Sequence, residues 1–143
     1  MTNVGQQPKT IILADDEVYI TTTIAAKLRS LGYAVHTARN GADALRLIAE
    51  YAPAMVITDF QMPRMSGLEM AQTLFADPAT SALPILMLTA RGHLLDEEMR
   101  SRTNIVKLLA KPFSVKEVTG VVFEVVGPAT ACSDNEDSIR KAG

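Results

Sequence analysis

The chain is short of most residues that announce specialised chemistry. Its 143 residues include one cysteine, no tryptophan and two histidines, and aromatic residues make up 5%. A lone cysteine, Cys132, cannot close an internal disulfide, and the Cys/His spacings of zinc sites are missing. Charge of one sign is lacking too. Fourteen basic side chains against 16 acidic ones leave a formal net charge of −2, which offers no bulk attraction to nucleic acid or to an anionic membrane. No apolar run approaches the ~20 residues of a spanning helix; the stretch 51–62 is interrupted by Pro53 and Asp59. The N-terminus has neither a basic start nor an apolar segment, so no signal peptide is expected, and the chain is read as cytoplasmic.

What is present is enough apolar material for one domain, 48% of the residues. It alternates between short runs and stretches of helical period. Thr10–Ala14 is a short apolar run, and Ile20, Ile24, Leu28 and Leu31 mark one helical face closed by Gly32. Tyr33–Ala38, Ala54–Thr58, Ile85–Leu88 and Ile105–Leu109 read as further strands. Helices are predicted from Gly41 to about Pro53, from Gly67 to about Phe75, over 92–102, and after Ser114. Ser66 with Glu69, and Ser114 with Glu117, have the spacing of capping boxes. Five strands alternating with five helices predict an α/β fold with a doubly wound parallel sheet covered on both faces. The folded unit is expected over 9–127, with a flexible tail over 1–8 and a disordered one over 128–143, where the pattern loses its period.

Open parallel sheets bind ligands beyond the carboxyl ends of their strands. There the sequence puts Asp15 and Asp16 after the first strand, Asp59 after the third, Thr89 after the fourth and Lys111-Pro112 after the fifth. Three clustered carboxylates repel unless a cation or a proton compensates. An oxygen-only donor set with no imidazole or thiolate nearby in sequence points to a hard octahedral ion, Mg²⁺, rather than zinc or copper.

Asp15-Asp16-Glu17, Asp59 with Met62-Pro63 and Ser66-Gly67, Thr89-Ala90 and Lys111-Pro112-Phe113, in this order and spacing, resemble the receiver domain of bacterial two-component response regulators. The likeness runs from about Thr10 to Val126. It implies a flavodoxin-like (CheY-like) sheet of strand order 2-1-3-4-5. It also implies that Asp59 accepts a phosphoryl group from a histidine kinase or histidine phosphotransfer protein. Asp16, Asp59 and the main-chain carbonyl of Gln61 would hold Mg²⁺, or Mn²⁺ in its place, with Asp15 acting mostly through water. Thr89 and Lys111 would contact the phosphoryl oxygens, and the Lys111–Pro112 bond would be cis. Gln61 and Arg91 would tune the lifetime of the aspartyl phosphate. A kinase helix would dock near Ile20, Thr21, Ile24 and Phe113, and a homodimer would form through the face made by the 92–102 helix, the fifth strand and the last helix.

Two places depart from the family pattern: Arg102-Thr103-Asn104 stands where a Gly-Ala-Asp-type turn often precedes the fifth strand, and Leu108 stands where an aromatic ring usually answers the movement of the threonine. His36 and His93 are read as structural or surface residues, and Met62, Met65 and Met70 as packing residues that could line a partner surface. Too few residues follow Val126 for a DNA-binding module, so a stand-alone receiver is expected. It would signal to a downstream protein by contacts or by relay, without direct contact to nucleic acid or membrane. Two other functions compete. One is a receiver fold that binds without phosphorylation, which Leu108 favours. The other is a Mg²⁺-dependent phosphatase using an aspartyl phosphate, which Gln61 disfavours because such enzymes carry a second aspartate two residues after the nucleophile. A flavin site is disfavoured by the acidic loop after the first strand.

Overall fold

A computed structural model of the chain describes residues 7–90 and 101–129. Its elements are β1 (Thr10–Ala14), α1 (Val18–Ser30), β2 (Ala34–Ala38), α2 (Gly41–Tyr51), β3 (Met55–Asp59), α3 (Gly67–Ala76), β4 (Ile85–Thr89), β5 (Ile105–Ala110) and α4 (Val115–Val126). The strands form one parallel sheet in the order β2-β1-β3-β4-β5. Among the described residues there are four helices rather than the five expected, because the stretch predicted as a helix over 92–102 falls outside them except for Ser101 and Arg102.

The continuous apolar runs are explained by burial on both faces. In β1, Ile11 and Leu13 enter a core with α1 and α4 that includes Ile24, Leu28, Val118 and Val122. Their neighbours Ile12 and Ala14 enter a second core with α2 and α3 that includes Ile48, Met70 and Leu74. Strands β1, β3 and β4 are buried almost throughout, whereas β5, at the sheet edge, exposes Val106 and Lys107. Met70 is fully buried, so it lines no partner surface; Met62 and Met65 pack partly buried on the second core. His36 stacks on Tyr51 with ring centroids 3.8 Å apart and planes 12° from parallel.

Helix starts follow the capping chemistry. Ser66 Oγ accepts from Glu69 N–H at 3.1 Å while Ser66 N–H donates to Glu69 Oε1 at 3.0 Å, and Ser114 and Glu117 repeat the pair at 3.0 and 2.8 Å. Asn40 Oδ1 accepts from Asp43 N–H at 2.8 Å to open α2.

The chain beyond α4 is tied to the amino edge of the sheet. Tyr33 Oη donates to Gly127 O at 2.5 Å, the Lys9 ammonium donates to Val126 O, and Lys9 N–H donates to Ala129 O at 2.8 Å. Ala129 is buried, and a Cβ on Gly32 would lie 3.2 Å from its methyl group. The bonds to Val126 O and Gly127 O satisfy carbonyls at a helix end that has no intrahelical partner for them. Tyr33→Phe is therefore expected to lower unfolding stability by about 1 kcal/mol, read by urea denaturation, and to speed hydrogen exchange at Gly127 and Ala129 ahead of the sheet.

Candidate functional site

The carboxyl edge of the sheet brings Asp15, Asp16, Asp59, Thr89 and Lys111 together from four strands. One carboxylate oxygen each from Asp15, Asp16 and Asp59 lies within 4.8 Å of the others. Asp15 is fully buried, Asp59 is 7% exposed, and Asp16 faces solvent. The Lys111 ammonium reaches into this group, 3.1 Å from Asp59 Oδ1, 3.4 Å from Asp15 Oδ2 and 3.3 Å from Glu17 Oε1. Main-chain amides orient the two buried acids: Glu17 N–H donates to Asp15 Oδ1 at 2.9 Å, and Phe60 N–H donates to Asp59 Oδ1 at 3.0 Å. Lys111 is placed by its own N–H, which donates to Thr89 O at 2.8 Å, and the Lys111–Pro112 bond is cis.

Burial pushes the Asp15 carboxyl up to about 6, with repulsion from Asp59 adding to it against the Glu17 amide and Lys111. Burial likewise raises Asp59, opposed first by its hydrogen bond to Lys111. Burial works against the Lys111 ammonium, but attraction to Asp15 and Asp59 outweighs it and holds the group above the ordinary lysine value. Without further compensation, four carboxylates, Glu17 included, stand against one ammonium at this edge. The donor set is all oxygen, partly buried and partly open, which fits a hard divalent cation.

A profile of the response regulator receiver domain matches residues 11–123. The chain belongs to this family. Relatives include the response regulator Rre1 of Synechocystis, 32% identical over 129 residues (90% of this chain, 56% of the relative). Another is the phosphate regulon transcriptional regulatory protein PhoB of Pseudomonas aeruginosa, 33% identical over 135 residues (94% and 58%). The chain thus spans about half the length of the curated relatives it matches. Among solved structures, the chemotaxis response regulator CheY4 of Vibrio cholerae superposes with a TM-score of 0.76 at 25% identity, covering 83% of this chain and 99% of that one. The receiver domain of the sensor histidine kinase PA1611 of Pseudomonas aeruginosa does so with a TM-score of 0.74 at 28% identity, covering 84% and 98%. In that receiver a magnesium ion is coordinated in the active site cleft.

Other residues named in the sequence analysis take varied places in this receiver. Gln61 is exposed on the loop after β3, beside Asp16, Met62 and Ser66. Leu108 is half-buried in β5 and packs on the second core. Arg91 and His93 fall outside the described residues. Thr21 is buried, its hydroxyl donating to Val18 O at 3.0 Å, so it is not available to a docking helix. A groove of about 310 Å³ does run between α1 and the segment after Lys111, lined by Ile20, Ile24 and Phe113 together with Tyr19 and Thr23. Tyr19, 80% exposed on its rim, escaped the sequence analysis because it falls off the apolar helical face.

Two further residues were missed. Glu17 stands in the Asp15-Asp16-Glu17 motif with no role that the sequence signals, yet it shares Lys111 with the two buried acids. Gly67 has a steric duty: its N–H donates to Phe60 O at 2.9 Å, and a Cβ there would lie 2.0 Å from Asp59 O. Gly67 stands in the quoted Ser66-Gly67 motif, directly after a capping serine, but that position carries no sign of how close the end of β3 comes to it. Gly67→Ala is expected to destabilise the fold by about 1–3 kcal/mol, measured by urea titration, and to disturb Asp59 with it.

The acid balance gives a second test, in chelator. The folded protein keeps a proton on Asp15 that the unfolded chain releases between its ordinary value of 3.8 and about 6. Stability therefore falls as pH rises through that window. Asp15→Asn is expected to flatten the fall and to raise metal-free stability at pH 7 by about 1–3 kcal/mol, measured by urea titration at pH 4 to 7.

Proposed function

We propose that this receiver accepts a phosphoryl group on Asp59 from a phosphohistidine of a sensor kinase or a phosphotransfer protein, and signals through the contacts that the modified form makes. The observation that carries the reading is the Lys111 ammonium, 3.1 Å from Asp59 and bridged to Asp15, in a cluster that also fits a hard divalent ion. Asp59 supplies a carboxylate oxygen to phosphorus; a P–O bond forms, the donor's P–N bond breaks, and the imidazole leaves. Lys111 pairs with an equatorial phosphoryl oxygen, and Thr89, buried at the end of β4, donates its hydroxyl to another. Asp15, Asp16, Asp59 and the Gln61 main-chain carbonyl would hold Mg²⁺. When bound, the ion neutralises charge between the carboxylates and the incoming phosphate.

Further parts of the reading rest on the family and on exposure. The groove between α1 and Phe113 would take the helix of the phosphodonor protein. Leu108, packed on the second core, would answer a movement of Thr89 with a smaller displacement than a ring would make. Self-association would use the β5 and α4 face, where Val106 and Phe123 are exposed. Gln61 and Arg91 would set the phosphate lifetime. A cytoplasmic location goes with a kinase partner.

Incubation with acetyl phosphate followed by intact-mass measurement tests the proposal. One added phosphoryl group is expected with Mg²⁺, none in chelator, and none on Asp59→Asn. Lys111→Ala is expected to lower the extent of incorporation at least tenfold, by roughly the loss of a charge-assisted contact. Absence of any adduct on the unaltered protein, with no Mg²⁺-dependent binding of beryllofluoride, would overturn the reading in favour of a receiver fold that binds without phosphorylation.

A further inference from the structure

Thr58 is a polar residue inside a strand whose five residues are all buried. Valine has nearly its shape and would fill the same space without a hydroxyl to satisfy, so a buried threonine here needs a partner. The partner is the next residue's carbonyl: Thr58 Oγ1 donates to Asp59 O at 3.0 Å. That carbonyl is one end of a planar peptide unit whose other end is the Phe60 N–H. The Phe60 N–H in turn is shared between Leu88 O at 2.8 Å and Asp59 Oδ1 at 3.0 Å. The two ends of a planar peptide cannot turn independently, and a bond accepted by the carbonyl polarises the N–H. Above this unit lies Gly67, where a Cβ would come within 2.0 Å of Asp59 O and 3.0 Å of Thr58 Oγ1, so the start of α3 closes directly over the bond.

We propose that Thr58 is a positioning residue for Asp59, acting through the 59–60 peptide: its hydroxyl pins the carbonyl end, which holds the amide end on the carboxylate. The proposal rests on the reading of Asp59 as phosphoacceptor for its effect on rate, but not for its effect on the amide.

The test uses the full chain with Thr58→Val and Thr58→Ser, compared by three measurements. These are the Phe60 amide resonance and its hydrogen exchange in metal-free protein, the initial rate of phosphoryl incorporation from acetyl phosphate with Mg²⁺, and the melting temperature. Thr58→Val is expected to move the Phe60 amide proton upfield, to speed its exchange, and to slow incorporation about threefold to tenfold. Its melting temperature should stay within about 4 °C of the unaltered protein. Thr58→Ser, which keeps the hydroxyl, should restore both the amide signal and the rate. An unchanged Phe60 amide in Thr58→Val overturns the proposal. So does a valine variant that unfolds, since the hydroxyl would then serve stability alone. If the unaltered protein takes up no phosphoryl group, the phosphoacceptor reading fails, while the amide measurements still decide the role of Thr58.

Discussion

The charge balance around Lys111 is the constraint on which the carboxyl edge depends. Asp15 and Asp59 are nearly removed from water and stand close enough to repel, and a buried carboxylate is tolerated only when paired or hydrogen-bonded. One ammonium serves both, with Glu17 sharing it from the exposed side. The balance is incomplete. Burial keeps both buried acids above their ordinary range even with the lysine in place. An edge in this condition attracts a further cation and changes its electrostatics most when anionic charge is added to it.

The sheet is what makes such an edge affordable. Parallel strands buried on both faces hold their carboxyl ends in register, so Asp15 and Asp59 emerge from adjacent strands, and Lys111 from beyond β5 still reaches them. The order β2-β1-β3-β4-β5 puts β1 and β3 side by side at the centre, where the two acids stand. Glycine does the remaining work at Gly67, letting the capped start of α3 close over the end of β3 at a distance no side chain permits.

Much of this is legible in the sequence. The strand-terminal acids stand out because each ends an apolar run, and both capping boxes were readable because their partners are three residues apart. The contacts that escaped are those whose partners are distant in sequence or belong to the main chain. Glu17 could not be tied to Lys111 from spacing, nor could Tyr33 be tied to Gly127. Thr58 read as one more β-branched strand residue, since its hydroxyl meets a backbone carbonyl, which leaves no trace in residue identity. Thr21 entered the docking surface through the family resemblance, which names a region of α1 but not the side chain whose hydroxyl bonds back to its own helix.

The tie between Lys9 and Ala129 has a topological consequence. Their main chains meet at a single hydrogen bond of 2.8 Å, at the edge of the sheet away from the acids. Among the described residues, the segment before β1 and the segment after α4 therefore meet in space. A short linker could join them, and the chain could be opened instead at an exposed connection such as the one near Ala79, at the same amino edge. The order of elements along the polypeptide would change while every neighbour in the sheet stayed the same. For this receiver, chain order and spatial order are separable, and it is the spatial order that builds the acidic edge.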